Sequence, residues 1–198
     1  RPAERRALVL RMLAHVIETL RASPLVDDVM VVTPDPAVAA YARERGATPV
    51  MQHDTGLNAA IRQGQQAALD RGADTVLVTL ADLPLLTVRD VDAILMEVAD
   101  SGAVIAPDRH RSGTNLLALR PPDRIGPAFG AGSLARHRAA LVAAGVSPRE
   151  YIGHGTGLDV DTAADLDVLH RYRDDLATVA MTVARIDHEG ERVEGGGS

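Results

Sequence analysis

The chain has 198 residues, 46% apolar and 24% charged, with no Cys and a formal net charge of −6. That profile describes one globular domain with a substantial core and excludes a disordered chain. The acidic balance argues against a nucleic-acid surface, and the lack of Cys removes disulfide, zinc-thiolate and thiol-nucleophile chemistry. No apolar run reaches the ~18 residues of a membrane span, so neither a membrane nor a nucleic acid is an expected partner. No signal peptide precedes the first helix, and a cytoplasmic protein is the expectation. Every cationic side chain is Arg.

Residues 3–22 place Leu8, Met12, Leu13, Val16, Ile17 and Leu20 at helical spacing, after a Pro2 suited to a first helical position. "DVMVVT" (28–33) reads as a buried strand and 35–46 as a helix, with Asp35 as N-cap and Gly46 as stop. "ATPVM" (47–51) is a short strand, 58–72 a helix ending at Gly72, and 74–80 a strongly apolar strand. Thr87, with Asp90 three residues on, opens a helix over 87–102 in the manner of a capping box. Residues 103–107 and 113–119 read as strands, 133–145 as a helix, 150–153 and 158–160 as short strands, and 162–177 as a helix. The tail from 181 alternates like a strand pair and ends in Gly-Gly-Gly-Ser, a flexible terminus. The spacing predicts one domain over 1–177 followed by a strand-like tail over 178–198. Its fold class is α/β: three layers, α/β/α, around a mainly parallel twisted sheet. Such sheets bind ligands beyond the carboxyl ends of their strands.

Asp82 stands at such an end, directly after the most apolar strand and before Leu83-Pro84. A buried charge is costly unless paired. Thr87 is better placed than Asp82 to cap the next helix, so a divalent cation is the natural partner, since Mg²⁺ takes one or two carboxylates plus substrate phosphates. Asp159 and Asp161 flank Val160 with period two and so share a face; Asp161 is also placed to help cap the helix opened by Thr162. Gly56 precedes a helix N-terminus with Asn58 in its first turn, where free N–H groups attract anions or meet a base or ribose. Arg109, His110 and Arg111 crowd one loop before Gly113-Thr114-Asn115; they read either as solvated surface or as part of a site for an acidic substrate. "FGAGSLARH" (129–137) holds the single Phe and puts Ser133 at an N-cap, and a cap and an anion site are physically the same place.

Taken in order, "PAERRALVLRML", "DTGLNAAIRQG", "ADLPLL", "APDRHRSGTNLLAL", "FGAGSLARH" and "LDVDTAADL" resemble the 2-phospho-L-lactate guanylyltransferase family, including its phosphoenolpyruvate guanylyltransferase members, over residues 1–175. The resemblance implies a nucleotide-diphospho-sugar-transferase-like fold, shared with molybdenum-cofactor guanylyltransferases. It implies transfer of GMP from GTP to the phosphate of a small 2-phospho acid, with release of pyrophosphate, in coenzyme F-420 biosynthesis. By the same resemblance, Asp82, Asp159 and Asp161 would hold Mg²⁺, and Gly56, Leu57 and Asn58 would line the guanosine site. Thr114, Gly130 and Ser133 would bind the phospho acid, with Arg109 and Arg111 adding charge. A homodimer is compatible with all of this. The family begins with a strand and a Lys- and Arg-bearing loop for the triphosphate; this sequence starts at the following helix, and the tail is a candidate for the vacant strand position. Two other readings share these residues: a phospho-acid-binding remnant without catalysis, and a molybdenum-cofactor guanylyl- or cytidylyltransferase.

Overall fold

The structure is a computed structural model that describes residues 2–153, 155–157 and 179–184. In chain order the elements are α1 (Pro2–Ala22), β1 (Asp28–Thr33), α2 (Pro36–Glu44), β2 (Thr48–Met51), α3 (Leu57–Asp70) and β3 (Thr75–Leu80). They continue with α4 (Val88–Ser101), β4 (Ala103–Pro107), β5 (Thr114–Leu119), α5 (Ser133–Ala143), β6 (Arg149–Glu150) and β7 (Val179–Ala184). The caps follow their chemistry. Asp35 accepts the Ala37 N–H at 2.7 Å and so satisfies an orphan donor of α2. Thr87 and Asp90 exchange both bonds of a capping box at α4, which Gly102 ends in a left-handed conformation. The short strand expected over 150–153 is confined to Arg149–Glu150. The strand expected at 158–160 and the helix expected at 162–177 lie outside the described residues.

The sheet has seven strands in the order β2-β1-β7-β3-β5-β4-β6. β1 and β2 are parallel, as are β4 and β6, while β5 and β7 run antiparallel to both of their neighbours. Five strands therefore share one direction and two are reversed. The short link over 108–113 turns β4 straight back into β5, and only antiparallel strands can be joined so briefly. β7 occupies the middle: Met181 stands opposite Met30 of β1 on one side and Val78 of β3 on the other. β7 thus fills the position between β1 and β3, so neither strand presents an open edge there.

Strand alternation divides the core into two layers. Val31, Leu77, Val104 and Leu116 face α1, α2 and α4 through Leu13, Ile17, Ala42 and Leu95. Val32, Val78, Ile105 and Leu117 face α3 and α5 through Ile61, Ala68, Leu134 and Leu141. No helix among the described residues is long and apolar enough to cross a membrane.

Because β7 bonds on both sides, Met181→Pro removes a ladder donor from the sheet centre. The expected result is a loss on the order of 3 kcal/mol, read as a lower urea midpoint; an unchanged midpoint would contradict the central placement.

Candidate functional site

The reversal of β5 positions the site. Thr79 of β3 stands opposite Leu116, and Pro107 of β4 opposite Thr114. The amino end of β5 therefore lies where β3 and β4 have their carboxyl ends. Thr114 and Asn115 emerge beside the loop that carries Asp82.

That loop is pinned on both faces of the sheet. Leu80 is buried with the α3/α5 layer, whereas Leu83 and Leu86 are buried with the α1/α4 layer, so half-buried Asp82 straddles the sheet end. His15 and Thr19 of α1 donate to the Leu86 carbonyl at 2.9 and 3.5 Å. From the other side comes the segment 151–157. Tyr151 donates its hydroxyl to Asp90 at 2.9 Å; burial, that bond and the Asp90 charge together push the phenol up to about 12. Gly155 packs so closely that an added Cβ would sit 2.3 Å from the Leu85 carbonyl oxygen and 2.4 Å from Asp90 Oδ2. Asn115 Nδ2 donates to the Thr156 carbonyl at 2.8 Å, tying β5 to the same segment. Three glycines in five residues, Gly153, Gly155 and Gly157, are the sequence signal of this close approach.

The second wall is the loop 128–133 leading into α5. Asn58 of α3 bonds Phe129 at both ends, accepting its N–H at 2.7 Å and donating to its carbonyl at 3.2 Å. Arg136 donates to the Ala128 carbonyl at 2.9 Å and to the Ala131 carbonyl at 2.6 Å. His137, fully buried, meets Thr114 Oγ1 with Nδ1 at 2.9 Å and accepts the Ala128 N–H on Nε2 at 3.1 Å. Its ring also stands edge-on to Phe129, 4.8 Å between centroids. Burial, seconded by the Arg136 charge, pulls His137 down to about 4, so it is neutral at pH 7.

Ser133 lies one helical turn before His137 on the same face. It is not the expected N-cap. Gly132 takes that place with φ 72° and no side-chain cap bond, and Ser133 begins the helix. The physical reason is backbone shape: the left-handed turn at Gly132 is one a serine would strain to adopt. Ser133 Oγ is buried and has no hydrogen-bond partner among the described residues. Two early amides of α5 are already engaged, Ser133 N–H by the Gly130 carbonyl at 3.0 Å and Leu134 N–H by the Ser112 carbonyl at 3.2 Å. Anion recognition at this helix start therefore falls more to hydroxyls than to backbone. Gly130, exposed with φ 108°, forms the bend before it.

The structure brings Thr114, Gly130 and Ser133 together around α5, next to the Asp82 loop. Gly56 starts α3 with φ 100°, and the half-buried Asn58 amide bonds Phe129 at both ends and so holds the wall. Arg111 pairs with Glu150 at 2.6 Å, and Arg138 pairs with the same carboxylate. This ties the 108–113 loop to β6 and α5, with the Arg111 side chain still about half exposed. Arg109 is exposed, with its Nε 3.1 Å from His110 Nε2. The loop itself is shaped by Asp108, which accepts from Ser112 N–H, Ser112 Oγ and Gly113 N–H. Burial raises that carboxyl, but these bonds and His110 outweigh it and leave Asp108 below its ordinary value. Asp159 and Asp161 lie outside the described residues. Among the described residues, no three His, Asp or Glu side chains gather as a metal site. Sequence reading missed Asn115, Arg136 and His137; the His at four residues from Ser133 was the available signal.

Residues 1–181 match the family of CofC-like guanylyl transferases. The chain belongs to that family. It is 50% identical over 168 residues to a phosphoenolpyruvate guanylyltransferase of Sphaerobacter thermophilus, covering 85% of this chain and 81% of that one. It is 45% identical over 167 residues to the Rubrobacter xylanophilus protein of the same name, covering 83% and 80%. Among solved structures, one from Desulfovibrio desulfuricans, provisionally assigned to the nucleotide-diphospho-sugar transferases, superposes with TM-score 0.66 at 21% identity, over 87% of this chain and 77% of that one. A CMP:2-keto-3-deoxy-manno-octonic acid synthetase complexed with CTP gives TM-score 0.55 at 18% identity, over 83% and 88%. These likenesses establish the nucleotide-diphospho-sugar-transferase-like fold.

Two outcomes follow for this CofC-like site. Because His137 sits below its ordinary 6.5, the unfolded chain takes up the proton first as pH falls. Its contribution is complete above pH 6.5 and is lost as pH drops toward 4, on the order of 3 kcal/mol in all. Urea unfolding across that range shows the decline, and His137→Asn flattens that part of it. Gly155→Ala forces the 151–157 segment off Leu85 and Asp90, with an expected cost of about 1–3 kcal/mol in the same assay.

Proposed function

We propose that the protein moves GMP from GTP onto the phosphate of a small 2-phospho acid, phosphoenolpyruvate above all, and releases pyrophosphate in coenzyme F-420 biosynthesis. The observation that supports this most is the pair of buried hydroxyls Thr114 and Ser133, one bonded to His137 and the other one helical turn before it, at the end of the sheet where the loop of Asp82 follows β3. The relatives named for phosphoenolpyruvate support that choice of acceptor.

In the reaction, a phosphate oxygen of the acceptor attacks the α-phosphorus of GTP. One P–O bond forms, the α–β bridging P–O bond breaks, and its electron pair leaves with pyrophosphate. Little covalent work falls to the protein; positioning and charge neutralisation carry the rate. Thr114 and Ser133 hold the acceptor's anionic oxygens by hydroxyl donation, and Gly130 leaves the loop open beside them. Asn58 and Arg136 keep this wall rigid. Gly56 and Leu57, at the start of α3, line the side assigned to guanosine.

The donor set fits Mg²⁺. Asp82 would supply one carboxylate, and such an ion needs only one or two beside substrate phosphates. Asp159 or Asp161 would supply the second; the sequence puts Asp159 two residues past Gly157. The ion, when bound, neutralises charge on the GTP phosphates.

Pyrophosphate release measured with GTP, phosphoenolpyruvate and Mg²⁺ tests the reading. Asp82→Asn is expected to lower kcat by roughly 100-fold or more while leaving the fold intact. A folded wild-type chain that releases no pyrophosphate with phosphoenolpyruvate, 2-phospholactate or phosphoglycerate defeats it.

A further inference from the structure

His137 touches the acceptor site at one remove, and its two ring nitrogens have different neighbours. The Ala128 N–H can only donate, so Nε2, 3.1 Å away, must offer its lone pair. An imidazole accepting on Nε2 carries its proton on Nδ1. That proton points at Thr114 Oγ1, 2.9 Å away. The hydroxyl of Thr114 is thereby made an acceptor toward the ring, and its own hydrogen has to go elsewhere. Among the described residues no acceptor meets it. Thr114 is 1% exposed and Ser133, whose Oγ also lacks a partner, is likewise 1% exposed. Two buried hydroxyls, each with a hydrogen to give, define a place for an oxyanion.

We infer that His137 is a positioning residue for the phospho acid: its Nδ1–H fixes the Thr114 hydroxyl as a donor aimed at an anionic oxygen of the acceptor. The inference rests on the acceptor site proposed above. Without the ring, the Thr114 hydroxyl can turn either way, and half of its orientations offer a lone pair to a negative charge. Neutrality of the ring is required, because a second proton would break the bond from Ala128 and remove one of the anchors of the 128–133 loop. The buried position and the neighbouring Arg136 keep that proton off. The loop and the hydroxyl are thus set by one side chain, Nε2 holding the wall and Nδ1 aiming the donor.

Calorimetry on the full chain with phosphoenolpyruvate as probe tests this, alongside GTP binding as the control. Thr114→Val is expected to weaken phosphoenolpyruvate binding roughly 10- to 100-fold. His137→Leu matches most of that loss with GTP affinity unchanged, and His137→Asn, whose amide can still donate from near the Nδ1 position, recovers most of it. In the Thr114→Val background His137→Leu adds less than about twofold, because the hydroxyl it aims is gone. Independent losses that multiply instead, or His137→Leu leaving phosphoenolpyruvate binding intact while Thr114→Val abolishes it, overturn the role of His137 and spare the acceptor site. Thr114→Val binding like wild type overturns the acceptor site itself. Should His137→Leu fail to fold, nitrogen NMR of the wild-type ring decides: an Nδ1–H tautomer is expected, and an Nε2–H tautomer refutes the inference.

Discussion

A single backbone reversal underlies the site. β4 turns back through six residues into β5, and β5 pairs antiparallel with β3, so that Thr79 faces Leu116. In a wholly parallel sheet, strand starts and strand ends lie on opposite sides of the domain. Here one strand begins where its neighbours finish. Its first two residues, Thr114 and Asn115, therefore lie at the same end of the sheet as the loop that follows β3. The 108–113 loop is shaped by Asp108 and tied down through Arg111 and Glu150, so the reversal is held from both ends.

Much of the remaining architecture serves to hold two loops still. Each has more than one anchor: the Asp82 loop has leucines on both faces of the sheet, and the 128–133 loop has Asn58, Arg136 and His137 from two helices of one layer. Most of these contacts end on backbone carbonyls or amides, so they fix main-chain shape and leave the neighbouring side chains available. For phosphoryl chemistry, in which placement dominates over covalent participation, such rigidity is the protein's main contribution.

The sequence was most informative where one physical signal dominated. The strand 103–107 is apolar throughout and 75–80 is apolar but for two threonines, and the caps at Asp35 and Thr87 follow from side-chain chemistry within three residues. Element ends shifted by a residue or two, as at α2 and α5. The mixed direction of the sheet was harder, because hydrophobicity reports burial and carries no arrow. At the site, Asp82, Thr114 and Ser133 stood out as polar residues at element ends. The pairing of Arg111 with Glu150 was not legible, since the two lie 39 residues apart and no local pattern links them. His137 stayed hidden for a similar reason: on a helix face it reads as core, and only the pairing of its two nitrogens reveals a task. Asn58 was noticed for its place at a helix start, yet its actual partner, Phe129, is 71 residues distant.

The central position of β7 also sets a schedule for the nascent chain. β1 and β3 are synthesised early, but the strand that joins them is made from residues 179–184. Until that stretch has cleared the ribosome, the two halves of the sheet have no hydrogen-bonded seam between them. The central seam is consequently completed only once residues 179–184 have been translated, and β1 and β3 carry exposed strand borders in the interval, a state in which chaperone capture and mispairing compete with folding.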